Sequence, residues 1–116
     1  MRQYSFEKLK VWQESRVLVK KIYQISQGFP TEERFGLTAQ IRSAAISIPS
    51  NIAEGAGRKY VKEQKQFYSF AYASLMEVLN QLILATDLDF LPKEILDKEL
   101  RPIVESVSLK LYKLKS

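Results

Sequence analysis

Residues 60–88 read YVKEQKQFYSFAYASLMEVLNQLILATDL, and this stretch decides the fold. Apolar and small residues recur through it at heptad spacing, so one face of a helix is suited to burial. It contains neither proline nor glycine, and no part alternates between apolar and polar residues as a strand would. The stretch therefore predicts the longest helix of the chain. The repeating positions are Phe67, Ala71, Ser74, Val78, Gln81 and Ala85.

Three further amphipathic series lie on either side of this helix. Residues from about 6 to 26 predict a first helix, which Gly28-Phe29-Pro30 ends. A second helix is predicted from Leu37 to the glycines of Gly55-Ala56-Gly57. The last series begins near Leu96 and continues to Leu114, which predicts a fourth helix.

Two prolines fall inside these helical patterns. Proline lacks the backbone donor and crowds the carbonyl four residues earlier, so it bends or breaks a helix. We therefore expect the second helix to be kinked at Pro49, where the hydroxyl of Ser47 or Ser50 can bond backbone groups. We expect the fourth helix to be kinked or split at Pro102.

The short connections between these segments predict that consecutive helices run antiparallel. The sequence thus predicts an all-α fold, an antiparallel up-down four-helix bundle forming one domain over residues 1–116. We also expect the first and third helices to pack against each other. The residues expected at that contact are Trp12, Val19, Phe67, Leu75 and Val78.

Composition narrows the possible functions. The chain has 116 residues, no cysteine and no histidine, so disulfides, thiolate or imidazole metal sites and cysteine nucleophiles are excluded. Neither a metal nor another cofactor is expected. No signal-peptide core and no stretch of membrane-spanning length is present, so we expect a cytoplasmic protein without a membrane segment.

Positive charge is concentrated in three segments. The formal net charge is +5, and residues 1–21, 55–65 and 108–116 carry +4, +3 and +3, while the two intervening segments are acidic. A basic protein of this kind favours acidic partners such as nucleic acid.

The second helix carries a seam of polar, mostly uncharged residues beside its apolar stripe. Exposed helix faces usually carry Lys and Glu, so this seam favours a contact surface in a homo-oligomer, where hydrogen bonds set the register. A solvated face and a catalytic role for Glu54 are the alternatives. The candidate interface residues are Gln40, Ser47, Asn51 and Glu54.

A cluster of cations stands at the start of the third helix, where the helix dipole is already positive. A bound anion would relieve this repulsion, so the cluster is a candidate nucleic-acid site. The alternative is neutralisation by solvent, by Glu63 and by an i,i+4 pair between Glu54 and Arg58. The cluster consists of Arg58, Lys59, Lys62 and Lys65, and Lys20 and Lys21 form a possible second patch.

Aromatic residues fall into two groups. Trp12, Tyr23, Phe67 and Phe70 have the spacing of core residues, so we expect them to be packed inside. Tyr60, Tyr68 and Tyr72 follow the basic cluster, where they suit either stacking on unpaired bases or burial in an interface.

Several motifs together resemble a known family. They are Phe6-x-x-Leu9-x-Val11-Trp12-Gln13, the run from Phe29-Pro30 through Ser47-Ile48-Pro49-Ser50-Asn51-Ile52-Ala53-Glu54-Gly55, and Phe67-x-x-Phe70-x-x-Ala73-Ser74-Leu75-x-Glu77. The chain resembles the bacterial four-helix-bundle family named for open reading frames in intervening sequences of 23S ribosomal RNA. The resemblance covers residues 6 to about 91, and the Ser47–Gly55 run is its most specific mark.

This resemblance implies a ring-like homopentamer and brings no enzyme activity with it. A related branch is similar to the accessory variability determinant of diversity-generating retroelements, a basic pentamer that engages a reverse transcriptase and its RNA. The resemblance thus implies a homo-oligomeric adaptor whose partners are RNA, single-stranded DNA or a nucleic-acid enzyme such as a reverse transcriptase.

Two other functions stay open at the level of sequence. One is a structural oligomer with a protein partner and no nucleic acid. The other is an enzyme that works through carboxylates, although no carboxylates show metal-ligand spacing, because Asp87/Asp89 and Asp97/Glu99 are only i,i+2 pairs. We therefore expect no catalytic residues.

Overall fold

The computed structural model describes all 116 residues and contains four long helices and no strand. The long helices are α1 (Lys10–Ser26), α2 (Leu37–Ala56), α3 (Val61–Asp87) and α5 (Arg101–Lys115). Short 3₁₀ turns at Ser5–Lys8 and Thr31–Glu33 precede α1 and α2, and a three-residue helix, α4 (Lys93–Ile95), follows α3. The all-α prediction is confirmed.

The fourth helical segment differs from an uninterrupted α-helix. A π-helical turn at Leu96–Leu100 joins α4 to α5, so the irregularity lies immediately before Pro102. A π-helical turn occurs where the i to i−4 backbone hydrogen bonds of an α-helix are interrupted. Proline interrupts them because it has no backbone N–H to donate. α2, in contrast, continues through Pro49, and Ser50 Oγ donates a hydrogen bond of 2.8 Å to the Ile46 carbonyl one turn earlier.

The helices enclose one hydrophobic core. Its innermost side chains come from every long helix and include Leu18, Ile48, Val78 and Leu111, all with no exposed surface. Each helix buries one stripe at three- and four-residue steps, which is why the periodicity of the sequence located the helices correctly. The molecule measures 44 × 27 × 23 Å.

The expected pairing of α1 with α3 is wrong. α1 packs against α2 and α5, and α3 packs against α2 and α5, so α1 and α3 occupy diagonal positions. In a bundle of four consecutive helices, neighbours in sequence occupy neighbouring positions, which leaves the first and third across the core. Of the residues expected at that contact, Leu75 and Val78 lie in the core, and Trp12, Val19 and Phe67 are half-buried at its edge.

Two of the aromatic residues expected inside lie at the surface. Phe70 is 47% exposed and Tyr23 is 37% exposed, whereas Tyr68 is buried. Tyr68 packs at Gly55, where a Cβ would lie 3.0 Å from Phe67 Cβ and from the Tyr68 ring and 3.2 Å from the Gln64 carbonyl oxygen. α2 and α3 are closest here, and the glycine leaves room for the Tyr68 ring.

We expect Gly55→Ala to destabilise the fold by about 1 to 3 kcal/mol, because the new methyl group overpacks this contact. Helix propensity alone would change stability by about 1 kcal/mol in the opposite direction, so the sign of the effect identifies the steric cause. Urea denaturation measures the difference. Gly57→Ala is the matched control, since its Cβ would meet only carbonyl oxygens at 3.7 Å, an ordinary contact. Equal or greater stability of Gly55→Ala would contradict the close approach.

Candidate functional site

The predicted polar seam of α2 partly faces α3 of the same chain. Ser47 Oγ and Ser74 Oγ are 2.9 Å apart and share a hydrogen bond between the two helices. Asn51 Nδ2 donates to both the carbonyl and the hydroxyl of Ser47, at 2.8 and 2.9 Å. Ser47 and Asn51 are therefore half-buried and satisfied within one chain, and they fix the register of α2 against α3.

The rest of the seam lies on an outer surface formed by α2 and α3. Gln40 is exposed and lines a shallow depression of about 340 Å³. The residues that line it are Ala39, Gln40, Ser43, Ala44, Ser47 and Glu77. Beside it, α3 exposes a stripe with steps of three and four residues, namely Phe70, Ala73, Glu77, Asn80 and Leu84. We call this surface the α2–α3 face, and Glu77 is the one charged residue among these lining and stripe residues.

Glu54 is bonded at the corner where α2 leads into α3. Its Oε2 accepts a hydrogen bond of 2.9 Å from Arg58 Nη2, the i,i+4 pair that the sequence offered as an alternative to anion binding. The Arg58 guanidinium also lies 4.6 Å from the centroid of the Phe67 ring, and Gln64 Nε2 donates to the Arg58 carbonyl. Arg58 thus has partners within the chain.

Cations from all three basic segments of the sequence lie at one end of the bundle, although Arg16, Lys20 and Lys21 of the first segment do not. The turn at Ser5–Lys8 packs against α2, and a groove of about 270 Å³ between α1 and α5 is lined by Lys10, Lys110 and Lys113 with Leu9, Val11 and Leu114. The contact at Gly55 brings the end of α2 to the start of α3, and Lys115 reaches Tyr72 of α3. The cations gathered here, which we call the basic end, are Arg2, Lys8, Lys10, Arg58, Lys59, Lys62, Lys65, Lys110, Lys113 and Lys115.

Most cations of the basic end lack a carboxylate partner. Only Arg58 and Lys110 have one within 4 Å, Glu54 and Glu14 respectively. At the opposite end, Lys98, Lys93 and Arg101 are all paired with acidic residues of the same segment. The bundle therefore presents uncompensated positive charge at one end of its long axis.

Lys20 and Lys21, the possible second patch, do not join this end. Lys20 lines a groove of about 520 Å³ between α1 and α2, together with Arg16, Val19, Tyr23, Ile46 and Pro49. Lys21 Nζ lies 4.0 Å from Glu99 Oε1. The cations of the basic end that sequence reasoning left out of the site are Arg2, Lys8 and Lys10 near the start of the chain and Lys110, Lys113 and Lys115 of α5. Their signal was the net charge of residues 1–21 and 108–116.

A half-buried polar network joins α1 to α5 near the basic end. Ser106 Oγ donates to Glu14 Oε2 at 2.8 Å, and Lys110 Nζ donates to Ser106 Oγ at 2.8 Å and lies 2.9 Å from Glu14 Oε1. Burial raises the pKa of Glu14. The hydrogen bonds from Lys110 and Ser106 and the charge of Lys110 together lower this pKa by more than burial raises it, so it lies below the ordinary value. The network therefore stabilises the fold when Glu14 is ionised, and this contribution is lost as pH falls through that lowered pKa. A carboxylate of lowered pKa is a weak base, so we interpret the network as structural.

The three tyrosines near the basic cluster have different surroundings. Tyr60 is 61% exposed, with Lys59 Nζ 5.5 Å from its ring centroid. Tyr68 is buried over Gly55, and burial raises the pKa of its hydroxyl. Tyr72 is half-buried and forms an edge-on pair with Tyr112 of α5, with the ring centroids 6.3 Å apart.

Five of the thirteen acidic residues form ion pairs, namely Glu14, Glu54, Glu94, Asp97 and Glu99. Arg101 Nε lies 3.3 Å from Asp97 Oδ1, and no group of three or more acidic side chains is arranged to hold a metal ion. None of the helices combines the length and the apolar character that crossing a membrane requires.

The fold and this surface define a class: a small helical bundle with one basic end and one nearly uncharged outer face. A family model with the description 23S rRNA-intervening sequence protein matches the chain over residues 7–113. The chain belongs to this family. The match includes the fourth helical segment, beyond residue 91 where the motif resemblance ended. No curated protein matches the sequence.

Proposed function

We propose that this chain is a non-catalytic adaptor that assembles into a ring-like homopentamer and binds RNA or single-stranded DNA through its basic end. The observation that carries the proposal is the meeting of three separate basic segments at one end of the bundle. Phosphate groups are the natural counter-charge for lysines that have no carboxylate partner.

An up-down antiparallel arrangement accounts for this meeting. Contacts between helices pair rising with falling residue numbers: Ser47 meets Ser74 while Gly55 meets Phe67, and Lys21 lies by Glu99 while Glu14 lies by Lys110. The start of α1, the end of α2, the start of α3 and the end of α5 then share one end. Because two helix starts and two helix ends meet there, their dipoles oppose one another, and the positive potential comes from the lysine and arginine side chains.

Assembly would multiply this charge. A ring of five copies would carry roughly +25, five times the formal +5 of one chain. In such a ring, a strand bound to one basic end would meet the neighbouring basic ends at a high effective concentration. Five chains of modest charge would thus together produce a strong positive electrostatic potential.

The α2–α3 face is the proposed contact between copies. Exposed helix faces are normally rich in Lys and Glu, whereas this one exposes Phe70 and Leu84 beside small polar side chains. Interfaces are depleted in charge and enriched in aromatic residues at their centre. Gln40 is the predicted interface residue best placed to reach another copy, because Ser47 and Asn51 are bonded within the chain and Glu54 binds Arg58.

We expect light scattering to give a mass of about 67 kDa, five times 13.4 kDa, at tens of micromolar protein. Gln40→Lys places a positive charge on the α2–α3 face and should shift the mass downwards without loss of helicity. Gln24→Lys, at an exposed position of α1, is the control and should leave the mass unchanged. A wild-type mass of 13.4 kDa would remove the oligomer, and an unchanged mass of Gln40→Lys would place the interface elsewhere.

The nucleic-acid function is tested by anisotropy of a labelled single-stranded RNA oligonucleotide during a salt titration. Each phosphate contact contributes about 0.7 to the slope of log affinity against log salt, so binding should weaken steeply. An equivalent DNA strand should bind similarly, because the contacts are to phosphate. Absence of binding at about 50 mM salt would overturn this function and leave a structural oligomer.

A further inference from the structure

An aromatic pair on the basic end is open to solvent. The rings of Tyr72 and Tyr112 meet at an interplanar angle of 61°, and Tyr112 is 58% exposed. Lys115 Nζ lies 5.1 Å from the Tyr72 ring centroid and 4.7 Å from that of Tyr112. Lys115 therefore covers both rings. An aromatic pair in the core is covered by packed apolar side chains, whereas this pair is covered by one lysine side chain.

Lys115 differs from Arg58, another cation that covers an aromatic ring at this end. Arg58 lies over Phe67, but Glu54 holds it at 2.9 Å, so that cation is neutralised. Lys115 has no carboxylate within 4 Å, and its contact with the rings is a weak, exposed cation–π interaction. The ammonium is free to move from the rings to a phosphate.

The tyrosine pair continues into a groove between α3 and α5. One helical turn beyond Tyr72 and Tyr112 lies a depression of about 290 Å³ that runs away from the basic end. It is lined by Met76, Leu79, Arg101, Val104, Glu105 and Ser108, so its apolar part nearest the tyrosines suits a base, and Glu105 further along does not suit a phosphate. Methionine adapts to flat ligands of varying shape. On the other side, Lys65 lies seven residues before Tyr72 on α3, about two turns away on the same face.

We propose that this groove binds the unpaired bases of a nucleic-acid strand, with one base stacked on the Tyr72–Tyr112 pair in place of the Lys115 ammonium. Lys115 then binds the adjacent phosphate, and Lys65 neutralises a phosphate further along the strand. This inference rests on the proposed function and adds to it a preference for single strands. Bases in a duplex stack on each other and offer no face to a tyrosine, whereas an unpaired base of any type stacks on an aromatic ring.

The test separates base stacking from phosphate binding. Anisotropy is measured with a single-stranded RNA, the same strand with abasic positions, the corresponding DNA strand and an RNA duplex. The wild-type chain should bind the RNA and DNA single strands with similar affinity and more tightly than the abasic strand or the duplex. Tyr112→Ala should lose about tenfold in affinity for strands that have bases and change little with the abasic strand.

Two matched variants accompany Tyr112→Ala. Tyr112→Phe keeps the ring and should bind as the wild type does. Phe35→Ala removes an aromatic residue that is 84% exposed and lies under the Arg34 guanidinium at 4.7 Å, but at the opposite end of the bundle, so it should have no effect. A fluorescent base analogue in the strand should be quenched on binding to the wild type and less quenched with Tyr112→Ala.

Three outcomes would overturn the inference. If Tyr112→Ala binds every strand as tightly as the wild type, the strand is held by phosphates alone, and the proposed function survives without the stacking site. If Tyr112→Ala lowers the oligomer mass, the rings form a contact between copies. If the wild type binds no strand at about 50 mM salt, the proposed function itself fails.

Discussion

Val78→Asp is expected to lower the free energy of unfolding by about 4 kcal/mol or more, the largest effect of any single substitution considered for this chain. Val78 has no exposed surface and lies in the core near the middle of α3. A carboxylate there would have neither water nor a cation, and an unpaired buried charge is among the costliest changes a protein can undergo. Since domains of this size are stable by only about 5 to 15 kcal/mol, much of the total stability should be lost.

Val61→Asp is the matched control for this substitution. It makes the same change in the same helix, but Val61 is 61% exposed and begins α3, where a negative charge interacts favourably with the helix dipole. We expect it to change stability by less than about 0.5 kcal/mol. Circular dichroism during urea denaturation measures both variants. Similar stability of the two would show that Val78 does not lie in a closed core.

The cost of Val78→Asp should also shrink in acid. Burial raises the pKa of the introduced carboxyl in the folded state above its unfolded value, so the folded form binds the proton more tightly. The free energy of unfolding of the variant therefore falls as pH rises from about 4 to about 7. Its difference from the wild type is correspondingly smaller at about pH 4 than at about pH 7. This pH dependence would distinguish a charge effect from a simple packing defect.

Helix periodicity revealed which face of each helix is buried but not which neighbour it meets. The stretch 60–88 predicted α3 to within one residue at each end. The same pattern suggested that α1 and α3 pack together, because both have strong apolar stripes. The apolar stripe of each helix faces the common core, which the diagonal helix also shares, so the pattern does not show which helices lie side by side.

The aromatic residues show a second limit of pattern. Phe70 lies three residues from Phe67 and has the spacing of a core position, yet it is exposed, while Tyr68 is buried. Gly55 causes the difference, because it lets α3 approach α2 closely enough for the Tyr68 ring to lie against the helix backbone. This contact involves residues of two helices, so the apolar pattern of either helix alone does not predict it.

The candidate site shows the same dependence on topology. The sequence identified the cations at the start of α3, because they are contiguous. Lys10 and Lys113 are about one hundred residues apart in sequence and line one groove only because α1 and α5 lie side by side. The net charge of each segment indicated that it is basic, but only the fold shows that cations from different segments lie at the same end.

Reversing Lys62 and Lys113 to glutamate is expected to weaken binding of single-stranded RNA by about 100-fold at about 50 mM salt. The two residues come from different basic segments, both are exposed, and neither has a carboxylate partner, so their replacement leaves no unpaired charge inside the protein. The slope of log affinity against log salt should fall by about 1.4, or 0.7 for each phosphate that the variant no longer binds. Each single variant should weaken binding about tenfold, because widely separated positions on one surface contribute additively.

The control is the double variant Lys93→Glu and Lys98→Glu, which changes the formal charge by the same amount at the opposite end. These lysines are paired with Asp97 and Glu94 on the surface, so their reversal should cost little stability. If phosphates contact the basic end, the control should retain most of the affinity and the full salt slope. Equal weakening in both double variants would mean that only the overall charge of the molecule attracts the strand, and the basic end would not be its binding site. Circular dichroism and light scattering of all variants establish that fold and assembly are unchanged, which confines any difference to the interaction with the nucleic acid.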